Sequence, residues 1–103
     1  MTKRLYDLAY GRSGDKGNIA NISVIARSPD AYAEIKARLT AERVKAHFGD
    51  LVRGQVIRYD LDNIEALNFV LYEALDGGGT RSLRIDSLGK SLAGALLYME
   101  WES

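Results

Sequence analysis

The sequence has no cysteine, one histidine and one proline, and its charges cancel: fourteen lysines and arginines stand against fourteen aspartates and glutamates in 103 residues. Each shortage removes a class of function. Without cysteine there is no disulfide framework, thiolate zinc cluster or thiol nucleophile. With His47 alone, a multi-histidine metal centre within one chain is excluded. Zero net charge leaves no domain-wide field to gather nucleic acid or anionic lipid, and the aromatic-plus-basic strand pattern of an RNA-binding sheet is missing. No apolar run approaches the ~18 residues of a membrane span. The opening "MTKRLYDLAYGRSG" turns polar too early for a signal peptide. These features predict a cytoplasmic protein with neither a nucleic-acid nor a membrane partner. With Pro29 as its only proline and no low-complexity tract, the chain offers no linker.

What is present is an average globular composition, 47% hydrophobic and 27% charged. That suffices for one modest core, hence one domain over residues 1–103. "LYDLAY" (5–10) alternates, with Tyr6, Leu8 and Tyr10 on one face, and predicts a strand. "IANISVIA" (19–26) is apolar and rich in β-branched residues, a second strand. "SPDAYAEIKARL" (28–39) carries a helix start: Ser28 to cap, Pro29 at the first helical position, Asp30 to complement the dipole. Ala31, Ile35 and Leu39 then form its apolar stripe. "TAERVKAHF" (40–48) extends that helix or forms a second, with Val44 and Phe48 inward and Gly49 as its stop. "QVIRYDL" (55–61) predicts a third strand with Ile57, Tyr59 and Leu61 on one face.

"DNIEALNFVLYEAL" (62–75) reads as a helix, from an Asp62/Glu65 capping box and a stripe of Ile64, Leu67, Leu71, Ala74 and Leu75. "SLRID" (82–86) predicts a fourth strand with Leu83 and Ile85 inward. "GKSLAGALLYMEWE" (89–102) predicts a last helix with Leu92, Leu96 and Met99 in line, although "YMEWE" is equally compatible with an extended chain. This order gives an α+β two-layer sandwich, a four-stranded antiparallel or mixed sheet with helices on one face.

The chemistry concentrates in "GRSGDKGN" (11–18), read as a long hairpin loop. Gly11, Gly14 and Gly17 are spaced by three, with Arg12, Ser13, Asp15, Lys16 and Asn18 among and after them. Glycines allow successive N–H groups to converge on an anion, and Arg12 and Lys16 add charge. The spacing fits neither a P-loop nor a dinucleotide fingerprint, since a strand follows. The competing reading is a hairpin loop tied by an Asp15 salt bridge to Arg12 or Lys16. "DGGGTRS" (76–82) is a second candidate: Gly78, Gly79, Thr80 and Arg81 supply the same chemistry, against the simpler alternative of a flexible connection. His47 reads as a helix-terminal histidine. Asp7 faces solvent or orients Lys16. No metal ligand set and no cofactor motif emerges.

"YGRSGDKGNIANISVIAR", the "SPDAY" helix start and the late "GGGTRSLRIDSLGKSLAGALL" together resemble the small ferredoxin-like domain of the acyclic terpene utilisation protein A (AtuA-like) family, over almost the whole chain. The resemblance implies a ferredoxin-like fold. It also implies an accessory or regulatory role beside a large AtuA-like subunit in acyl-CoA-linked catabolism of terpenoids or branched acids. An anionic ligand, a coenzyme A ester or another phosphate, would then meet the 11–18 loop. The alternative is a small oligomeric enzyme using Asp15 and Lys16 as acid–base groups and Ser13 as an orienting group. Leu97, Tyr98 and Trp101 near the end of so short a chain add the expectation of a homo-oligomer.

Overall fold

The computed structural model describes residues 3–16, 19–49, 52–74 and 92–101, the side chains of Asp15 and Lys16 excepted. Strands β1 (Ala9–Lys16), β2 (Ile19–Ala26), β3 (Val56–Leu61) and β4 (Ala66–Leu71) form one sheet in the order β1-β2-β4-β3, every neighbouring pair antiparallel. Helices α1 (Pro29–Arg38), α2 (Ala41–Phe48) and α3 (Leu92–Leu97) pack on it. The result is an α+β, ferredoxin-like arrangement.

Alternation decides what the sheet buries. Along β2, Ala20, Ile22, Val24 and Ala26 are buried while Asn21, Ser23 and Ile25 are not. Along β4, Leu67, Phe69 and Leu71 are fully buried and Asn68 and Val70 half-buried. The buried set meets Ile35 and Leu39 from the α1 side, Val44 and Phe48 from α2, and Leu92, Ala93 and Leu96 from α3 in one core. Ser28 caps α1 as the sequence predicts, and α2 starts on a cap of its own. Ser28 Oγ accepts from the Ala31 N–H at 3.1 Å, and Thr40 Oγ1 from the Arg43 N–H at 3.1 Å, so two helices form where one long one was possible. Gly49 closes α2 with φ +58°, in the left-handed region that glycine tolerates.

Several expectations need correction. Residues 5–10 are not one strand. Leu5–Asp7 is a 3-10 turn, because the Asp7 carboxylate accepts from the Arg4 N–H at 2.8 Å and curls the chain before β1 begins. Within the segment expected as a loop, residues 11–16 are strand, laddered to β2 from Gly11↔Val24 to Lys16↔Ile19. The 62–75 helix is absent. Asp62–Ile64 is a 3-10 turn, Glu65 takes the left-handed conformation (φ 53°), and β4 follows at once. The last helix spans Leu92–Leu97. Beyond it Arg4 bridges Glu100 in antiparallel fashion and the Trp101 N–H donates to the Lys3 carbonyl at 2.7 Å, the extended alternative. The strand expected at 82–86 lies outside the described residues. Among those residues, no helix is long and apolar enough to cross a membrane.

Trp101 is fully buried, at the edge of the helical layer. Its Nε1–H donates to Glu34, whose carboxylate also pairs with Arg38 at 3.3 Å. The guanidiniums of Arg38 and Arg43 lie 4.9 and 4.4 Å from its ring. Of the residues expected at an oligomer contact, Trp101 thus belongs to the core, Leu97 is half-buried, and Tyr98 is exposed.

Candidate functional site

The strand character of residues 11–16 separates the side chains that the sequence groups together. Gly11 and Ser13 face the helices. Arg12 and Gly14 face the other way and are exposed. Gly11 makes room for α3: a Cβ there would come within 3.0 Å of Leu97 Cδ1 and 3.2 Å of Ala93 Cβ. Gly14 has no such demand, its hypothetical Cβ meeting only the Asn21 side chain at 3.5 Å. Neither has a positive φ. Residues 11–14 are extended along an edge strand, so their successive N–H groups point in alternating directions and do not converge into an anion cradle. Gly17, Asn18, Gly78, Gly79, Thr80 and Arg81 lie outside the described residues, as do the side chains of Asp15 and Lys16.

What Arg12 and Gly14 do share is the face of the sheet that the helices leave open. The registers arrange that face in three cross-strand rows: Tyr10–Ile25–Ala66–Leu61, Arg12–Ser23–Asn68–Tyr59, and Gly14–Asn21–Val70–Ile57. The outer rows are mostly apolar. The middle row is polar and partly self-satisfied, Ser23 Oγ donating to Asn68 Oδ1 at 3.0 Å. Four of the exposed large hydrophobic residues lie on this face or at its rim: Tyr10 at 53%, Tyr59 at 48%, Ile19 at 41%, and Ile64 at 56% in the turn joining β3 to β4. Sequence reading missed this face as a site. The signal was the period-2 set Ile57, Tyr59, Leu61, an apolar face of β3 that needs a partner.

At the β1 edge the aromatic surface continues. The Arg27 guanidinium lies 4.3 Å from the Tyr10 ring, and its Nε–H donates to the Tyr6 carbonyl at 3.1 Å. Arg4 stacks on Tyr98 at 4.0 Å and donates to the Tyr98 carbonyl at 2.9 Å. Tyr6, Gly94, Leu97 and Tyr98 line a shallow apolar groove of about 230 Å³.

The remaining polar clusters are structural ties. The Tyr32 hydroxyl and Lys36 Nζ donate to Asp62 Oδ1 at 2.5 and 2.9 Å, joining α1 to the β3–β4 connection. Burial and then the hydrogen bond to Asp62 push the Tyr32 phenol up to about 12, while that bond and the one from Lys36 hold the Asp62 carboxyl below its usual range. Arg58 donates to the Lys36 and Leu39 carbonyls at the end of α1 and pairs with Asp60 at 2.9 Å. His47 Nε2 lies 2.9 Å from the Ala95 carbonyl oxygen and joins α2 to α3, as a helix-terminal histidine should. Asp7 holds its own turn and does not reach β1 chemistry. Among the described residues, no group of three or more His, Asp or Glu side chains could hold a metal ion.

Set against known proteins, residues 3–102 match the family model described as the AtuA ferredoxin-like domain. No curated protein and no solved structure matches the chain.

Proposed function

The chain belongs to the AtuA ferredoxin-like domain family, and on that premise we propose that it is an accessory or regulatory subunit of an AtuA-like assembly in acyl-CoA-linked catabolism, with the open face of its sheet as the assembly surface. The observation that carries this reading is the apolar face itself. Exposed Tyr10, Ile19, Tyr59 and Ile64 surround half-buried Ile25, Ile57, Leu61 and Val70, with one described charged side chain, Arg12, in its three rows. Interface cores are poor in charge and rich in tyrosine, arginine and aliphatic contact. A monomer gains nothing by leaving such a patch in water.

The reading also keeps a place for the segment 11–18, since its Arg12 and Gly14 lie on this face. Here Arg12 acts as a side chain at the rim of a contact surface, without a backbone nest behind it. The test is coexpression with a large AtuA-like subunit followed by affinity purification. The wild-type chain should be retained, and Ile25→Asp, which puts a carboxylate in the middle of the face, should be lost at unchanged melting temperature. Equal retention of both chains removes the open face from the reading. In the same preparation, coenzyme A or inorganic phosphate should raise the melting point if Arg12 serves an anion; a ligand at one hundred times its Kd adds roughly 2.7 kcal/mol.

A further inference from the structure

We infer that the open face is occupied by a second copy of this chain, related by a twofold axis that runs parallel to the strands between β2 and β4 and places Arg12 over the partner's Tyr59. The inference rests on the open face being an assembly surface and makes the twofold dimer closed through that face the unit that a large subunit captures.

The geometry follows from the registers. The middle row runs Arg12, Ser23, Asn68, Tyr59 across four strands, so Arg12 and Tyr59 stand at opposite edges of the sheet. At about 4.8 Å per strand spacing they are roughly 14 Å apart. A face-to-face pair of identical sheets has its twofold axis in the plane between them, and only two directions respect the strand lattice. An axis along the strands exchanges β1 with β3 and β2 with β4 while keeping each row over itself. An axis across the strands keeps each strand over itself and exchanges the outer rows.

Two features choose the first. The charge is one. The axis along the strands sets each Arg12 guanidinium on the partner's Tyr59 ring, a favourable cation–π contact made twice. The axis across them sets Arg12 over the partner's Arg12, two like charges in a closing interface. Polarity is the second. Along-strand pairing places the Ser23 hydroxyl against the partner's Asn68 amide, two groups already bonded to each other within one sheet at 3.0 Å and able to extend that network. Aligned packing of twisted sheets, about 30° apart and about 10 Å thick, accommodates this arrangement.

The area sets the strength. Four strands and about six residues give a patch of roughly 20 by 20 Å. At about 400 Å² a side this lies below the range of stable dimers, so a weak, transient contact with a dissociation constant on the order of tens of micromolar is expected.

The experiment is sedimentation velocity on the full chain from about 1 to about 200 μM, a range that brackets such a constant. The wild type should move from monomer to dimer. Tyr59→Arg should raise the dissociation constant roughly 30-fold or more, because it opposes two guanidiniums where a ring stood. Arg12→Glu alone should also weaken it. The double variant Arg12→Glu with Tyr59→Arg restores an attractive pair across the axis and should return the constant to within about threefold of wild type. Both positions are exposed, so circular dichroism, and the melting temperature at about 1 μM where the chain is monomeric, should not move and a folding defect is distinguishable. A wild type that stays monomeric throughout, a dimer indifferent to both single variants, or a double variant no better than the singles overturns the inference. Its failure is separable from that of the assembly reading. If the chain is monomeric but Tyr59→Arg still abolishes capture by the large subunit, only the self-association is wrong. If capture is also indifferent, both are.

Discussion

The two faces of the sheet come from the same four strands and largely the same residue types, and they have opposite fates. Val24 and Ile25 are neighbours in β2, Phe69 and Val70 in β4; the first of each pair with odd or even parity toward the helices is sealed, the other left half in water. Gly11 and Gly14 divide in the same way along β1. The comparison teaches that hydrophobic content alone does not mark a core. A strand buries whichever alternate set an amphipathic helix can cover, and the other set, if equally apolar, stays open to a partner.

The largest test of this contrast uses the adjacent pair in β4. Phe69→Ala should destabilise by about 3–5 kcal/mol, through lost burial and the cavity left behind. Val70→Ala should cost about 1 kcal/mol or less in the monomer. Urea denaturation of both at low protein concentration checks this, and equal losses would break the distinction between the faces.

The glycines give a medium-sized effect. Gly11→Val drives a side chain into Leu97 and Ala93 of α3, already 3.0 and 3.2 Å from the first added atom, and should cost about 1–3 kcal/mol. Gly14→Val meets only a flexible amide end at 3.5 Å and should lie within about 0.5 kcal/mol of wild type. Thermal melts read the difference. A tolerant Gly11 would mean that α3 does not seat on β1 as described.

The smallest effect lies in the tie that holds α1 over the β3–β4 connection. The Tyr32 phenol is raised to about 12 from its ordinary 10.0, so folding favours its neutral form. That contribution is complete below about pH 10 and fades as pH rises toward 12. Asp62 runs the other way: its lowered carboxyl contributes above the ordinary carboxylate range and loses that contribution as pH falls through its lower folded value. Tyr32→Phe should cost about 1 kcal/mol at neutral pH and flatten the alkaline limb of the stability curve. A variant with an unchanged alkaline slope would assign that limb to other groups.

Much of the fold is legible in the residues. The second strand, the first two helices and the third strand follow from β-branched runs, Ser28-Pro29, and the Val44/Phe48 spacing closed by Gly49, because in each a local rule and the tertiary packing agree. The 62–75 helix fails because two periods coincide there. Leu67 and Leu71 satisfy a helical stripe and a strand face equally, and the Asp62/Glu65 signature looks like a capping box. What decides against the helix is the pairing of residues 66–71 with β2 and β3, which no local window contains. Ile64, placed inward by the helical reading, is 56% exposed. The glycine-rich segment misleads for a different reason. Its spacing is that of a flexible loop, yet Gly11 is dictated by the approach of α3, a contact with residues some eighty positions later. The site was legible only in part: Arg12 and Gly14 belong to the open face, but Tyr59, Ile25 and Asn68, which complete it, come from strands whose order the sequence does not reveal.

The seam between the two ends of the fold has a kinetic consequence. The Trp101 N–H reaches the Lys3 carbonyl, the Leu5 N–H reaches the Met99 carbonyl at 2.9 Å, and the Arg4 side chain reaches the Tyr98 carbonyl across 94 positions of chain. Closing a loop that long costs about 4 kcal/mol in chain entropy before any contact offsets it. The β1–β2 hairpin and the capped helices form from near neighbours and face no such barrier. The seam is therefore expected to assemble late, after the transition state, so weakening it should leave the refolding rate nearly unchanged and accelerate unfolding. The lone, buried Trp101, clasped by Glu34 and two guanidiniums, is the natural optical reporter of that last step: its fluorescence times the moment at which the beginning and the end of the chain find each other.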